Sequence, residues 1–207
     1  MISSSLRKGL YAFAAFAVAL LVSITLSACS SVSDEDQIRT MVDEEFSLIK
    51  EHDQATIDEL MGDASSTADS LAQYGIDGSE FINSWLDGFD YSIGDVTIAD
   101  DKTTATVNVS ITSKQLYPIL ATWMTDYMEW VKSGAATSQD EISAKAGETM
   151  MSTLSSASPV ATEVTLDVEK DGSWQIADSL NNDEAFEKSL LGDEEEFNNA
   201  MDAVLSF

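Results

Sequence analysis

The stretch TTATVNVSITS, residues 103–113, decides the fold of this 207-residue chain. Small apolar residues alternate strictly with polar ones, and successive side chains of a strand point to opposite faces of a sheet. One face therefore carries Ala105, Val107, Val109 and Ile111, while the other carries only hydroxyl and amide side chains. This pattern predicts a strand with one buried and one solvated face, which is typical of an antiparallel sheet.

Three further segments keep the period of two. Residues 91–98 alternate apart from a one-residue slip at Gly94, which we interpret as a β-bulge. Residues 162–168 alternate as well, and the sequence KDGS at 170–173 then predicts a hairpin turn into a return strand beginning at Trp174. Asp-Gly is favoured in two-residue hairpin turns, in which both central residues have positive φ. Together these segments predict about four antiparallel strands.

Helical spacing of apolar residues occupies most of the remaining chain. The apolar stripes predict helices over residues 33–50, 53–62, 77–86, 116–132 and 138–156, and an acidic helical tail over residues 181–207. Helices segregated from antiparallel strands define the α+β class. We therefore expect N-terminal helices packed on a curved antiparallel sheet, with a helical insertion at 114–158 and a helical C-terminal tail.

This order of elements resembles small bacterial lipoproteins with a nuclear-transport-factor-two-like, cone-shaped domain, several of which are grouped only as domains of unknown function. The similarity rests on the first helix pair around His52-Asp53, on ATVNV at 105–109 and on VTLDVEKDGSWQI at 164–176. It implies a domain over residues 34–180 in which a curved sheet wraps around the N-terminal helices and leaves a pocket at the open end. The insertion and the tail have no counterpart in minimal members, and they are expected to fill or cover that pocket.

The N-terminus has the pattern of a secretory leader. Arg7 and Lys8 precede an apolar run over residues 10–26, which ends in Leu26-Ser27-Ala28-Cys29. That tetrapeptide resembles the lipobox of bacterial lipoproteins, and Cys29 is the only cysteine of the chain. The resemblance implies cleavage before Cys29 and attachment of a diacylglyceryl group and palmitate-type acyl chains to it. The alternative is an uncleaved membrane-spanning helix with an incidental cysteine, although the apolar run is short for that role.

The anchor predicts the organisation of the chain and its location. Residues 1–28 would be the signal peptide and residues 29–33 a short tether. The folded domain would then lie on the extracytoplasmic face of a bacterial membrane, held there through the lipid on Cys29, because two acyl chains anchor a protein stably. Cleavage removes Arg7 and Lys8 but no acidic residue.

Composition excludes several classes of function. The chain has 37 Asp and Glu against 10 Lys and Arg and a formal net charge of −27, so it lacks the basic surface that nucleic acid requires. The hydrophobic fraction of 44% is enough for a real core. One cysteine excludes an internal disulfide and a multi-cysteine zinc site. Calcium-loop spacing, nucleophile motifs and phosphate-binding glycine loops are absent from the sequence. We therefore predict no metal and no cofactor.

Two kinds of residue remain as candidates for a site. His52 is the only histidine, but it lies between two carboxylates at a helix end, which favours a surface residue over a general base. The possible ligand-lining residues are aromatic, and core packing is their alternative role. They are Trp85, Phe89 and Tyr91 near the first strand, and Trp123, Tyr127 and Trp130 on the inserted helix.

These observations favour a non-catalytic binding or interaction module with a small-molecule or protein ligand. One alternative is an enzyme of the same fold acting on a small hydrophobic substrate. Another is a binder of cell-wall peptide or polysaccharide. A catalytic version needs at least two buried, convergent titratable groups, whereas a binding version needs only aromatic and aliphatic walls.

Overall fold

The computed structural model describes residues 32–53, 71–135, 138–177 and 184–205, the side chain of Leu205 excepted. These ranges form α1 (Asp34–Lys50), α2 (Gly78–Leu86), β1 (Asp90–Ile98), β2 (Thr104–Ser113), α3 (Leu116–Lys132), α4 (Gln139–Ser156), β3 (Val160–Asp171), β4 (Ser173–Ile176), α5 (Glu184–Leu191) and α6 (Glu194–Leu205). The predicted α+β class is confirmed. The leader, Cys29 and nearly all of the helix predicted at 53–62 lie outside the described residues. Within the described ranges, no helix combines the length and the hydropathy needed to cross a bilayer.

The strands form one antiparallel sheet in the order β1-β2-β3-β4. Strand β2 lies between its two neighbours, with Val107 opposite Val96 on β1 and Leu166 on β3. The predicted inward residues of β2 are at most 5% exposed. The assignment of faces from the period of two is therefore confirmed, and the buried face of β2 forms the centre of the core.

The bulge predicted in β1 is also present. The pairing shifts between Ile93 and Val96, so that Gly94 and Asp95 oppose the single residue Asn108. A Cβ atom at Gly94 would lie 3.2 Å from the carbonyl oxygen of Asn108, so glycine lets the two backbones approach closely here. Its lack of a side chain is what fits the bulge against β2.

The predicted β3–β4 hairpin exists, but its turn differs from the prediction. Lys170 pairs with Trp174 and Asp171 with Ser173, so the register centres on Gly172 alone. Gly172 has a φ of 76°, whereas Asp171 is not among the described residues with positive φ. The expectation that both Asp171 and Gly172 have positive φ was therefore wrong. A turn centred on one residue needs one left-handed position, and glycine supplies it.

Helix α1 packs across the sheet and is fixed at both ends. The Ser33 hydroxyl accepts from the Asp36 amide at 3.1 Å, as expected of an N-cap. Its apolar stripe is fully buried and consists of Ile38, Val42, Phe46 and Ile49. The helix ends where the amide of Asp53 donates to the carbonyl of Leu48 and that of His52 to the carbonyl of Ile49, which is the Schellman pattern.

The inserted helices have the predicted bounds but not all of the predicted burial. The apolar stripe that predicts α3 also predicts which of its residues face inward. Ile119 is buried, whereas the other residues of the stripe are only half-buried: Leu120, Trp123, Met124, Tyr127 and Val131. Leu116 and Tyr117 are buried instead. Of this stripe only Ile119, Leu120 and Trp123 reach the core, and α3 otherwise packs against α4 and α6. The inward stripe predicted for the second half of α3 was therefore wrong as a core assignment.

The C-terminal helices pack into the domain. Phe186 of α5 is buried with its ring edge-on to Phe46 of α1, at a centroid distance of 5.7 Å. The Ser113 hydroxyl at the end of β2 donates to the carbonyl of Ser189 at 2.6 Å. Phe197 of α6 stacks on Tyr117 at 4.9 Å. Helices α5 and α6 thus cover the same end of the domain from which α3 begins.

Candidate functional site

Two of the predicted ligand-lining residues belong to the core. Trp85 is 3% exposed, and its Nε1–H donates to the carbonyl of Lys114 at 2.7 Å. Phe89 is also buried and lies 6.5 Å from Phe46, ring centroid to centroid. The indole N–H is hydrogen-bonded within the protein and both rings are buried. These two side chains therefore have a packing role in this structure.

Tyr91 lies half-buried on the edge strand β1. Its hydroxyl donates to the Asp43 carboxylate at 2.7 Å, and its ring lies 5.3 Å from that of Phe46. Burial is the main cause that raises the pKa of the Tyr91 hydroxyl, and the hydrogen bond with the Asp43 carboxylate raises it further. The phenol therefore remains a neutral hydrogen-bond donor that ties β1 to α1.

The other three predicted aromatic residues form a row along one face of α3. The ring of Tyr127 stacks on Trp123 at 5.8 Å and on Trp130 at 6.4 Å. The Trp123 indole donates to the carbonyl of Ala146 on α4 at 3.0 Å. Burial raises the pKa of the Tyr127 hydroxyl, and nearby Tyr74 adds to this. The row is half-buried, and no ring contact between described residues joins it to Trp85, Phe89 or Tyr91.

A groove of about 460 Å³ opens between α3, α4 and the start of β3. One face of α3 lines it with Gln115, Pro118, Ile119, Thr122 and Asp126, and the remaining lining consists of Thr149, Ser152, Thr153, Ser156, Ala157, Ser158 and Val160. None of the six predicted aromatic residues is among them. In the sequence, the groove is marked only by small hydroxyl residues at helical spacing on α3 and α4. The structure shows that these two helices face each other across the groove.

The hydrogen-bonding capacity of the groove is biased toward acceptance. The hydroxyls of Thr122, Thr149, Thr153 and Ser156 each donate to the carbonyl four residues earlier in their own helix, at 2.7 to 2.9 Å. Their protons are therefore engaged, and each hydroxyl oxygen keeps a lone pair with which it can accept a further hydrogen bond. Asp126 is the single ionisable residue of the described lining, and no cation lines it. The lining therefore suits a ligand that donates hydrogen bonds and is neutral or positively charged.

Lys114 is a buried charged residue that the sequence analysis did not single out. Its side chain is 4% exposed, and its ammonium donates to the carbonyl of Ser84 at 2.8 Å and to the Asp87 carboxylate at 3.3 Å. Ser84 lies in the last turn of α2, where carbonyls lack helical partners and the helix dipole attracts a cation. Lys114 thus caps α2. In the sequence, the one hint of this role is that Lys114 directly follows the alternating strand.

His52 lies away from the groove at the end of α1. Its Nδ1 atom is 3.1 Å from the amide oxygen of Asn83, and the residue has a φ of 53°. No contact joins the imidazole to a carboxylate or tyrosine in the described part of the chain. Nor do the described residues contain a group of three His, Cys, Asp or Glu side chains placed to hold a metal ion.

Comparison of the chain with protein-family models, with curated proteins and with solved structures found no match.

Proposed function

We propose that this chain is a bacterial lipoprotein whose cone-like α+β domain binds a ligand at the extracytoplasmic face of the membrane without catalysing a reaction. The observation that carries the proposal is the sequence Leu26-Ser27-Ala28-Cys29, which stands five residues before the first residue of α1. A charged start, an apolar run and small residues before the cysteine are the features that a secretory leader requires.

The groove between α3 and α4 supports the binding role. Its walls combine apolar surface from Pro118, Ile119 and Val160 with acceptor oxygens and one carboxylate, Asp126. Because the whole chain carries a net charge of −27, its field attracts cations and repels anions. We infer a ligand that joins an apolar stem to a protonated amine.

The residues around the groove support the absence of catalysis. General acid–base chemistry usually needs two titratable groups that converge on the substrate. The described lining offers only Asp126, and the single histidine is bonded to Asn83 at another site. A binding role requires nothing beyond shape, apolar contact and a few polar atoms.

Acyl labelling tests the anchor. We expect Cys29→Ser to abolish incorporation of labelled fatty acid and to leave the uncleaved precursor, since the thiol is the acceptor of the lipid. Ser30→Ala is the matched control, because it changes the neighbouring residue and leaves the thiol in place. An unmodified Cys29 with residues 1–28 still attached, found by mass spectrometry of the wild-type protein, would contradict the proposal and favour a membrane-spanning leader.

Methyl NMR tests the groove, with n-butylammonium as the probe and butyrate as the matched anion. We expect n-butylammonium to shift the methyl signals of Thr122, Thr149 and Thr153, and butyrate to shift them much less. Asp126→Asn should weaken the response to n-butylammonium, whereas Asp140→Asn, at the exposed start of α4, should leave it unchanged. Equal shifts from both probes would refute a cation-selective groove.

A further inference from the structure

The sheet has two distinct ends. Strand β2 spans ten residues, which at a rise of about 3.4 Å per residue gives about 30 Å. At one end Thr104 pairs with Glu169, beside the turns at 99–103 and 170–173, which we call the hairpin end. At the other end Ser113 pairs with Val160, a residue of the groove lining. The hairpin end and the groove therefore lie at opposite ends of the sheet.

The start of α1 is fastened to the hairpin end. Oδ1 of Asp34, the first residue of the helix, accepts from the Lys170 ammonium at 2.6 Å and from the Trp174 indole at 3.1 Å. The Lys170 ammonium lies 5.1 Å from the centre of the Trp174 ring, within cation–π distance. The chain that leads back to Cys29 therefore leaves the domain at the hairpin end.

The tether is short compared with the domain. Four residues lie between Cys29 and Asp34, and the five steps from one to the other cover at most about 3.6 Å each in a fully extended chain, or about 18 Å in all. This reach is shorter than the sheet, which is about 30 Å long. A domain turned upside down, with its groove against the lipid, would need a longer tether than the chain provides.

We propose that the hairpin end is the lipid-facing surface of the domain and that the groove opens away from the bilayer. This inference rests on the proposed function, because it requires the lipid on Cys29. The covalent lipid and the short tether hold the surface in place, not charge, because Asp100, Asp101 and Asp171 outnumber Lys102 and Lys170 in the two turns of the hairpin end. The partner surface is thus a lipid bilayer reached through the anchor, and the groove receives its ligand from the aqueous side.

Site-specific labelling of the full chain tests the orientation. Acylation would occupy the thiol of Cys29, the only native cysteine, so one introduced cysteine can be labelled uniquely. Ser173→Cys places a fluorophore at the hairpin end, and Ser155→Cys is the matched variant near the groove; both serines are exposed. The proteins are reconstituted in phosphatidylcholine vesicles that contain a lipid with a nitroxide on its headgroup. We expect quenching at residue 173 to exceed quenching at residue 155 several-fold.

A longer tether provides the control. Inserting twenty Gly/Ser residues after Ser31 lengthens the reach well beyond the sheet, so the difference in quenching should largely disappear. Equal or reversed quenching in the chain of natural length, with the protein floating with the vesicles, would overturn the orientation but leave the anchor intact. Failure of the protein to float with the vesicles would overturn the proposed anchor and this inference with it.

Discussion

His52 ends α1 in a conformation that its side chain makes costly. The Schellman pattern places it at the position after the C-cap, where glycine is usual because a left-handed backbone strains residues with a Cβ atom. Among the described residues, the one hydrogen bond of the imidazole that can compensate for this strain joins Nδ1 of His52 to the side-chain oxygen of Asn83. The histidine thus has a structural position, with no geometry that suits a general base.

Substitution of His52 separates the strain from the side-chain contact. Both His52→Ala and His52→Gly remove the imidazole, but only glycine removes the strain of the left-handed backbone. We expect His52→Ala to stay within about 0.5 kcal/mol of the wild type, and His52→Gly to be about 1 kcal/mol more stable than His52→Ala. Urea melts measure both. Equal stability of the two variants would show that the backbone at this position is unstrained.

Asp34 makes the stability of the domain depend on pH. The hydrogen bond from Lys170, and then that from Trp174, hold the pKa of the Asp34 carboxyl below its ordinary value of 3.8. A lowered pKa means that the folded state favours the carboxylate. Its contribution is therefore fully present above pH 3.8 and is lost as the pH falls through the lower pKa of the folded protein.

Asp34→Asn should therefore destabilise the domain near neutral pH and lose this effect in acid. Urea melts of the wild type and the variant, at a series of pH values down to well below 3.8, measure the difference in the free energy of unfolding. Lys170→Met removes the principal cause of the lowered pKa, so its penalty should follow the same pH profile. A penalty from Asp34→Asn that is constant across the whole series would contradict the assignment.

Strand β2 is the element that the sequence predicts best. Its period of two has a single geometric interpretation, since a strand with one buried face must alternate. The helical stripe of α3 is less informative, because an apolar stripe shows that something covers the helix but not what covers it. Helical spacing places Trp123, Tyr127 and Trp130 on one face of α3, but the contact of Trp123 with α4 was not predictable from it. The cap at Lys114 was not predictable either, because its partners Ser84 and Asp87 lie about thirty residues earlier in the chain.

The groove was unpredictable for a related reason. Hydroxyl residues at helical spacing, as on α3 and α4, occur on many solvated helices. Only the packing of the two helices shows that Thr122 and Thr153 border the same space. The aromatic residues that the sequence favoured instead, such as Trp85 and Phe89, are equally suited to cores, and here they are buried.

Paired substitutions in β2 test the assignment of its faces. Val107 is fully buried, and Val107→Asp would bury an unpaired carboxylate, so we expect a loss of several kcal/mol, on the order of 3 or more. Thr106 lies on the opposite face, and Thr106→Asp should cost about 1 kcal/mol or less. Urea melts compare the two variants. Similar destabilisation by both would mean that β2 does not have one buried and one solvated face.

At the scale of the whole molecule, the C-terminal helices complete the core. Phe186 is 4% exposed and makes an edge-to-face contact with Phe46, while Ser189 accepts from the end of β2. Helix α6 then stacks Phe197 on Tyr117 of the insertion. The acidic C-terminal tail predicted from the sequence is thus polar on one side and packed against the domain on the other. It joins the sheet to the inserted helices.

Truncation of Phe186 tests whether the tail folds with the rest of the domain. Phe186→Ala removes a buried ring, so we expect a loss of about 3–5 kcal/mol. Glu195→Ala, on an exposed position of α6, should change the stability by about 0.5 kcal/mol or less. Thermal unfolding followed by far-ultraviolet circular dichroism, to which α5 and α6 contribute, and by tryptophan fluorescence, which comes from the rest of the domain, should show one coincident transition. Two separate transitions would indicate that the tail is an independent unit.

The bulge at Gly94 makes edge strand β1 a poor pairing partner for a strand of another molecule. An open sheet exposes two edges, and a long, flat edge strand invites pairing with another chain and aggregation. Edge strand β1 is interrupted at the bulge and carries the exposed carboxylates of Asp90 and Asp95. Strand β1 therefore offers no regular template to a neighbouring molecule. Molecules held side by side by the proposed lipid anchor would therefore resist pairing with one another through β1.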